Sequence, residues 1–351
     1  MKTIRRAACA VAVAGLALGA GTAASAQQIT LQFGHFWPTG AGPHADMAID
    51  WTNQVTECTD GQVQFEFHTA GSQLGAVTRL EDHLRAGLLD IAHGLNHFPR
   101  GRFTAATVID TPNLARSSYA NANTLWSLYE EGLLAPTYAG LHMLALHAHP
   151  AGHLHTRGRA VRLPSDVSGM RIRTPSPSMI MAVESMGGTA VGVPPGETYE
   201  VLSRGTADGT VFPYEAIFGF GLAEVLDHHT EVGFYTTSFW FAMNENTYAR
   251  LPENVQACVD EASGRELVRR IGAEYWPEWD VPGLEAARAA GNEIITLTEE
   301  ERAAWTEHFI PVAEQWLDSL EAEGVDNARE IYARAQELVA EYEAAWQAQS
   351  D

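Results

Sequence analysis

The chain has almost no lysine: in 351 residues lysine occurs once, at Lys2. The rest of the chain therefore cannot provide a Schiff-base lysine or the lysine of a P-loop. Acidic residues number 44 against 22 basic ones, which gives a net charge of −22. A surface this acidic argues against binding to nucleic acid or to anionic membranes. An anionic ligand would need a local positive pocket.

An apolar run long enough to cross a membrane is also lacking at the N-terminus. The first residues include three basic ones, an apolar run from about Ala7 to Ala20, and small residues up to Ala26. A membrane-spanning helix needs about 20 apolar residues. The layout is that of a secretory signal peptide over residues 1–26, cleaved after Ala26. We expect a periplasmic protein without direct membrane insertion.

Cysteine is scarce. Cys9 lies in the signal segment, so only Cys58 and Cys258 remain after cleavage. In an oxidising compartment an even pair indicates one disulfide. Two separately buried thiols are the alternative, because the sequence gives no distance between the two side chains. The bridge is the slightly favoured interpretation.

Strands and helices alternate along most of the chain. A strand at Ile29–Phe33, a helix at Pro43–Cys58 and a strand at Val63–His68 follow one another with short connections. This order is typical of an α/β fold. The C-terminal third is predicted to be helical, with a capping box at Thr298. Further strands are predicted at residues 89–92, 141–147, 170–174, 190–193, 209–212 and 236–244, and further helices at 76–86, 117–132, 178–186, 197–204, 252–276 and 327–346.

Two α/β lobes with a helical tail favour a hinged protein that holds its ligand between the lobes. We predict that residues 27–149 and 238–279 form lobe I. Residues 150–237 and 280–351 are predicted to form lobe II. The chain is long enough for two such domains.

The segment from Pro164 to Pro175 carries the strongest family signal. Its pattern, Asp166-x-x-Gly169-x-Arg171-Ile172-Arg173, resembles the signature of DctP-type solute-binding proteins of TRAP transporters. The resemblance covers nearly all of the chain after Ala26. Further segments that resemble the family are Gly71–Gly75, Leu84–Ala92, Met186–Pro194, Glu197–Leu202, Gly205–Pro213, Trp240–Asn244 and Leu251-Pro252.

The resemblance implies a two-lobe periplasmic-binding-protein fold, type II-like, with crossing hinge strands, a long spanning helix and a helical C-terminal region. It implies closure over one small carboxylate ligand and delivery to separate TRAP membrane permease subunits. It implies no cofactor and no catalytic residue. We expect a monomer. A receptor of the same fold that serves a signalling protein is an alternative that this chain alone does not separate.

Arg173 is the predicted carboxylate anchor. In the resembled family the arginine at this motif position binds the ligand carboxylate, and a guanidinium meets a carboxylate with two parallel hydrogen bonds. Arg171 lies two positions earlier, so strand alternation would direct both side chains to one face. Only the strand-end position and the motif favour Arg173. For Arg171 a structural ion pair is the preferred interpretation.

Residues 132–165 contain no acidic residue but five histidines and three arginines. In so acidic a chain this gap predicts a locally positive wall for an anion. His153 stands where many family members have a second arginine, which predicts a weaker or pH-dependent second contact. The spacings His147-x-His149 and His153-x-His155 could hold a metal, but no acidic residue is near to support one. We therefore predict no metal.

The predicted site is otherwise aromatic. Phe212 replaces a polar residue, often asparagine, that commonly precedes the proline in this family. One charged anchor between aromatic walls favours an aromatic or apolar monocarboxylate, with C4-dicarboxylates and sugar acids as alternatives. The further candidate ligand contacts, each with a core role as the alternative, are Trp37, Gln73, Asn96, Tyr214 and Phe239.

An exported hydrolase is the rival class of protein. The sequence has no G-x-S-x-G, no H-E-x-x-H and no S-x-x-K motif, which removes the common nucleophile and zinc arrangements. Paired carboxylates remain possible in a chain this acidic, but no spacing singles out a pair. A binding protein is the preferred interpretation.

Overall fold

The structure is a computed structural model that describes residues 28–350. The predicted signal peptide, residues 1–26, lies outside the described residues. Two β-sheets, each covered by helices, form the body of the protein. Among the described residues, no helix combines the length and the apolar character that crossing a membrane requires.

Each sheet is mixed. The first has the strand order β2-β1-β3-β10-β4, and the second has the order β11-β9-β5-β8-β6-β7. The strands are β1 (Ile29–His35), β2 (Val63–His68), β3 (Ile91–Leu95), β4 (Leu141–Ala148), β5 (Gly152–Thr156), β6 (Arg171–Thr174), β7 (Thr189–Gly192), β8 (Gly209–Phe212), β9 (His228–Tyr235), β10 (Ser238–Asn244) and β11 (Glu293–Ile295).

The helices cover the sheets and form the C-terminal region. They are α1 (Ile49–Cys58), α2 (Leu80–Arg85), α3 (Ser118–Glu130), α4 (Pro177–Ser185), α5 (Thr198–Ser203), α6 (Tyr214–Gly219), α7 (Glu245–Arg250), α8 (Glu253–Glu261), α9 (Gly264–Arg270), α10 (Trp276–Ala289), α11 (Glu299–Ala322) and α12 (Ala328–Ser350). Pro43–Ala48 and Ile271–Tyr275 are π-helical, and short 3₁₀ turns occur at Thr104–Asp110, Ala135–Tyr138, Pro164–Val167, Pro195–Glu197 and Leu222–Glu224.

Apolar residues in the central strands explain why the first sheet is buried. β10 reads SFWFAMN and is buried along its whole length, between β3 and β4. A strand covered on both faces is expected to be a continuous apolar run rather than an alternating one. Phe241 of β10 stacks on Phe33 of β1 with ring centroids 5.4 Å apart. This core fixes the strand ends that face the second sheet.

Two strand connections pass from one sheet to the other. β4 of the first sheet is followed by β5 of the second after residues 149–151, and β9 of the second sheet by β10 of the first after residues 236–237. The continuous helical stretch from Gly264 to Ala289 packs against α3 at one end and α6 at the other. The crossing strands and the long spanning helix are therefore confirmed.

The C-terminal helix α12 packs against α3, and its Ile331 and Leu338 belong to the same apolar core as the first sheet. The predicted lobe boundaries stay a prediction, but this packing favours placing residues 328–350 with lobe I instead of lobe II.

Cys58 and Cys258 form a disulfide that joins the end of α1 to α8. The disulfide, which the sequence slightly favoured over two separately buried thiols, is therefore confirmed.

Candidate ligand-binding site

A narrow cavity lies between the two sheets, and both contribute to its wall. Its empty volume, including its opening to solvent, is about 380 Å³. Trp37 and Phe239 line it from the first sheet, and Phe212 lines it from the second. Tyr235 and Thr237, at the second strand connection, complete the wall. The cavity is therefore an interlobe site.

Arg173 lies on β6 and is fully buried, with 0 % of its surface exposed. Its Nε donates a hydrogen bond to the carbonyl oxygen of Val193 at 3.1 Å. Its Cζ lies 4.3 Å from the ring centroid of Phe212, a cavity residue. The two terminal nitrogens, Nη1 and Nη2, have no hydrogen-bond partner. Two parallel N–H groups without an acceptor are the arrangement that a ligand carboxylate completes.

Burial is the main influence on the charge of Arg173. It lowers the pKa of the guanidinium from its ordinary value to about 9, while Tyr235 and Glu197 act in the opposite direction. The group stays charged at neutral pH. Nearby polar atoms also have no partner: both ring nitrogens of His97, the hydroxyl of Tyr235 and the hydroxyl of Thr237. Buried polar atoms are normally paired, so this region is suited to receive a polar ligand group.

Arg171 has a different environment from Arg173. It is half exposed and forms an ion pair with Asp208, with Nη2 and Oδ1 2.6 Å apart. This pair also holds the pKa of Asp208 below its ordinary value. The two arginines on β6 are thus distinguished by burial and by partner, which strand alternation did not predict.

Three of the predicted aromatic contacts meet in the cavity wall: Trp37, Phe212 and Phe239. Trp37 and Phe239 stack with ring centroids 5.7 Å apart. Flat apolar surfaces on both sides of a narrow cavity complement a planar aromatic ring. Phe212 also contacts the guanidinium of Arg173. Arg173 does not itself line the cavity, but it contacts Phe212, which does.

The other predicted contacts do not line this cavity. His153 is the sheet partner of Phe212, but its ring contacts Tyr214, and burial lowers its pKa to about 4. It is therefore neutral at pH 7. Asn96 lines a separate opening together with His97, and its Oδ1 accepts a hydrogen bond from Tyr138. Tyr214 is buried and does not line the cavity.

Gln73 is exposed on its loop and lines neither opening. A residue in a glycine-rich loop can face the cleft or the solvent, and only the path of the chain decides between them. Its predicted ligand contact is not supported by its position.

The expected positive wall in residues 132–165 is wrong. Burial lowers the pKa of both His147 and His149 to about 3, so both are neutral. The three arginines of the segment have other partners: Arg157 and Arg159 donate to main-chain carbonyls, and Arg162 pairs with Glu301. The part of the segment that carries these two histidines, residues 141–149, is almost wholly buried, where a charge of either sign is unfavourable.

Buried histidines form hydrogen-bonded pairs instead. Trp276 Nε1 donates to His147 Nδ1 at 3.1 Å, so neutral His147 carries its proton on Nε2. That proton is directed at Nε2 of His93, 2.7 Å away. His155 and His229 form a second pair, also 2.7 Å between nitrogens. Within residues 28–350 no cluster of three metal-binding side chains occurs.

Sequence reasoning missed several cavity residues. Tyr235 ends β9, a strand that was not predicted because its polar residues resemble a loop; Thr237 lies in the connection that follows. Glu215 lies two residues after Pro213, just beyond the recognised family segment. Trp276 was expected only as part of a helix. His97 could have been found from the sequence, because it directly follows Asn96, which was predicted as a ligand contact.

Comparison with known proteins gives consistent matches. The family described as bacterial extracellular solute-binding protein, family 7 (DctP), matches residues 33–319. A solute-binding protein of Verminephrobacter eiseniae is 27 % identical over 270 residues, which covers 75 % of this chain and 79 % of that protein.

Solved structures with the same fold have aromatic acids in their sites. A TRAP solute-binding protein from a marine metagenome, specific for aromatic acid ligands and bound to meta-hydroxyphenylacetate, is 28 % identical with a TM-score of 0.86, covering 90 % of this chain and 99 % of that chain. A TRAP solute-binding protein from Rhodoferax ferrireducens, with copurified benzoate, is 25 % identical with a TM-score of 0.85, covering 91 % of this chain and 99 % of that chain.

Proposed function

The chain belongs to the DctP family of bacterial extracellular solute-binding proteins, and from this we propose that it captures an aromatic monocarboxylate for a TRAP-type transporter. The family and the fold are those of binding proteins for transport. The ligand carboxylate pairs with Arg173, and the ring lies between the aromatic walls.

One observation carries the ligand proposal: the fully buried guanidinium of Arg173 has two nitrogens without partners beside an aromatic cavity. A single buried cation favours one carboxylate. A second carboxylate of a C4-dicarboxylate would need a second cation, and neutral His153 does not provide one. The hydroxyl groups of a sugar acid would face phenyl and indole rings and lose their hydrogen bonds to water. Benzoate in a relative with the same fold supports the same ligand class.

Hinged closure is the proposed mechanism. In the closed protein Arg173 is removed from water, which is unfavourable while its donors are unpaired. A bound carboxylate pairs with those donors, so the ligand stabilises the closed form relative to the open one. The crossing connections at residues 149–151 and 236–237 are where the lobes would rotate. The permease would then distinguish loaded from empty protein by its shape.

The proposed location is the periplasm, and the proposed partner is a TRAP membrane permease. Both follow from the family and from the signal peptide that the sequence predicts. A receptor serving a signalling protein would bind the same ligand, so the test is genetic: deletion of the permease genes should abolish uptake of the ligand that this protein binds.

Isothermal titration calorimetry tests the ligand class. The purified protein is titrated with benzoate, 3-hydroxybenzoate, succinate and glucuronate. Binding of at least one aromatic acid, with no binding of succinate or glucuronate, is expected. Arg173→Gln should abolish binding, while Arg171→Gln, which removes an exposed arginine of the same strand, should leave affinity unchanged. Binding of dicarboxylates alone, or full affinity in Arg173→Gln, would contradict the proposal.

A further inference from the structure

A carboxyl group that the proposed function does not use lies in the cavity wall. Glu215, on α6, is 5 % exposed and lines the cavity together with aromatic residues. Its Oε1 is buried and has no hydrogen-bond partner. Among the described residues no cation influences its charge. An ionised carboxylate at this position would repel an anionic ligand. The presence of a carboxyl group in the wall of an anion-binding cavity therefore needs an explanation.

The fold holds Glu215 in place from two sides. Its main-chain nitrogen donates to Oδ1 of Asp280, on α10, at 2.8 Å. Gly283 allows α10 to approach α6 closely, because a Cβ there would lie 1.8 Å from the carbonyl oxygen of Tyr214. Gly219 leaves room for the carboxyl, since a Cβ there would lie 3.1 Å from Oε1 of Glu215. The unpaired oxygen is thus positioned by the packing of two helices.

The environment of Glu215 favours its neutral form. Burial first, and then the neighbouring Asp280, raise the pKa of Glu215 to about 8. Burial also raises the pKa of Asp280, to about 7. Buried carboxyls without a cation keep their proton because the charged form loses its hydration. A protonated carboxyl is both a donor and an acceptor of hydrogen bonds.

We propose that Glu215 binds a hydroxyl group on the ring of the aromatic acid whose carboxylate pairs with Arg173, so that hydroxylated aromatic acids are preferred. This inference rests on the proposed function and names its substrate class more narrowly. A phenolic hydroxyl satisfies both the donor and the acceptor of a neutral carboxyl. An unsubstituted ring would leave the buried oxygen without a partner, which costs affinity.

The discrimination can be large. A site that hydrogen-bonds a substrate hydroxyl rejects the analogue without it far more strongly than an apolar pocket rejects a missing methylene. We therefore expect at least one of 3-hydroxybenzoate and 4-hydroxybenzoate to bind about tenfold or more tightly than benzoate. Whether the meta or the para hydroxyl is preferred would show which ring position of the bound acid lies next to Glu215.

Calorimetric titration of the full mature protein at pH 7 with benzoate and the two hydroxybenzoates tests the inference. Glu215→Leu should reduce the hydroxyl preference to about twofold or less while benzoate still binds, and Glu215→Gln, which keeps a donor and an acceptor, should retain part of it. Glu231→Gln is the matched control, because Glu231 accepts a hydrogen bond from Tyr214 near the same helix but does not line the cavity. It should keep the wild-type preference.

The outcomes separate this inference from the proposed function. If benzoate binds but the wild-type protein shows no hydroxyl preference, or if Glu215→Leu keeps it, Glu215 is not the recognising group although the proposed function stands. If no aromatic acid binds the wild-type protein, both are wrong. Preference for an ammonium-bearing ring, such as 4-(aminomethyl)benzoate, would mean that Glu215 is ionised, and would overturn the inference.

Discussion

Replacing Arg173 with methionine should let the protein close without a ligand. Methionine keeps much of the side-chain length but carries no charge. In this structure the guanidinium is 0 % exposed and two of its nitrogens are unpaired. The variant removes this unfavourable feature and, with it, the proposed carboxylate anchor. We expect a folded protein that is closed when empty and that does not bind aromatic acids.

The size of the effect follows from the burial of the charge. Lowering the pKa of Arg173 from its ordinary value to about 9 corresponds to a penalty on the order of 5 kcal/mol for the charged form. The hydrogen bond to Val193 and the contact with Phe212 offset roughly 2 kcal/mol of this. Under the proposed closure, which would bury this side chain, about 3 kcal/mol then remains against the closed form, or roughly a hundredfold in the equilibrium between open and closed forms. A shift of that size changes the major species.

Small-angle X-ray scattering measures the change directly. The radius of gyration of the wild-type protein should fall when benzoate or 3-hydroxybenzoate is added. Empty Arg173→Met should already have the smaller radius and should not respond to the acids. Arg171→Met, the exposed arginine of the same strand, should behave like the wild-type protein. If empty Arg173→Met is as expanded as the empty wild-type protein, the buried charge does not control closure and the reasoning fails.

Three further measurements follow from the same structure. Replacing Cys58 and Cys258 with serine opens a crosslink between positions 200 residues apart; the free energy of unfolding in guanidinium should fall by about 2–5 kcal/mol, with ligand affinity retained. Asp208→Asn, which breaks the exposed pair with Arg171, should cost less than about 1 kcal/mol in the same assay. Acidification should destabilise the protein, because burial lowers the pKa of His147 to about 3: its contribution is present above about pH 6.5 and is lost as the pH falls towards 3. At pH 5 this corresponds to about 2 kcal/mol for each such histidine, and pH-independent melting between 7 and 5 would contradict it.

Many elements could be predicted because their signals are local. The strands at Val63–His68 and Gly209–Phe212 have the bounds expected from their apolar runs and flanking turns. The capping box at Thr298 is formed: the main-chain nitrogen of Thr298 donates a hydrogen bond to the carboxylate of Glu301. The helix predicted at 117–132 is observed at Ser118–Glu130. Each depends on residues that are neighbours in the sequence.

Other elements required the assembled sheets. β9 was missed because its sequence, HHTEVGFY, is polar at the start, and its strand form comes from pairing with β5 and β11. The helix expected from residue 76 begins only at Leu80. β11 has three residues and pairs with β9 alone. A short or polar strand is stabilised by its neighbours, so its own residues give little signal.

The sequence by itself determined the family and the pair of cysteines and led to the prediction of Arg173 as anchor, because each depends on a motif or a count. The tertiary structure alone decided which charges are present in the cleft. It buries His147 and His149 and makes them neutral, and it brings Glu215 beside Asp280 across 65 positions of the chain. The reason is physical: the charge of an ionisable group depends on the water and the partners around it, and these come from segments that are distant in the sequence.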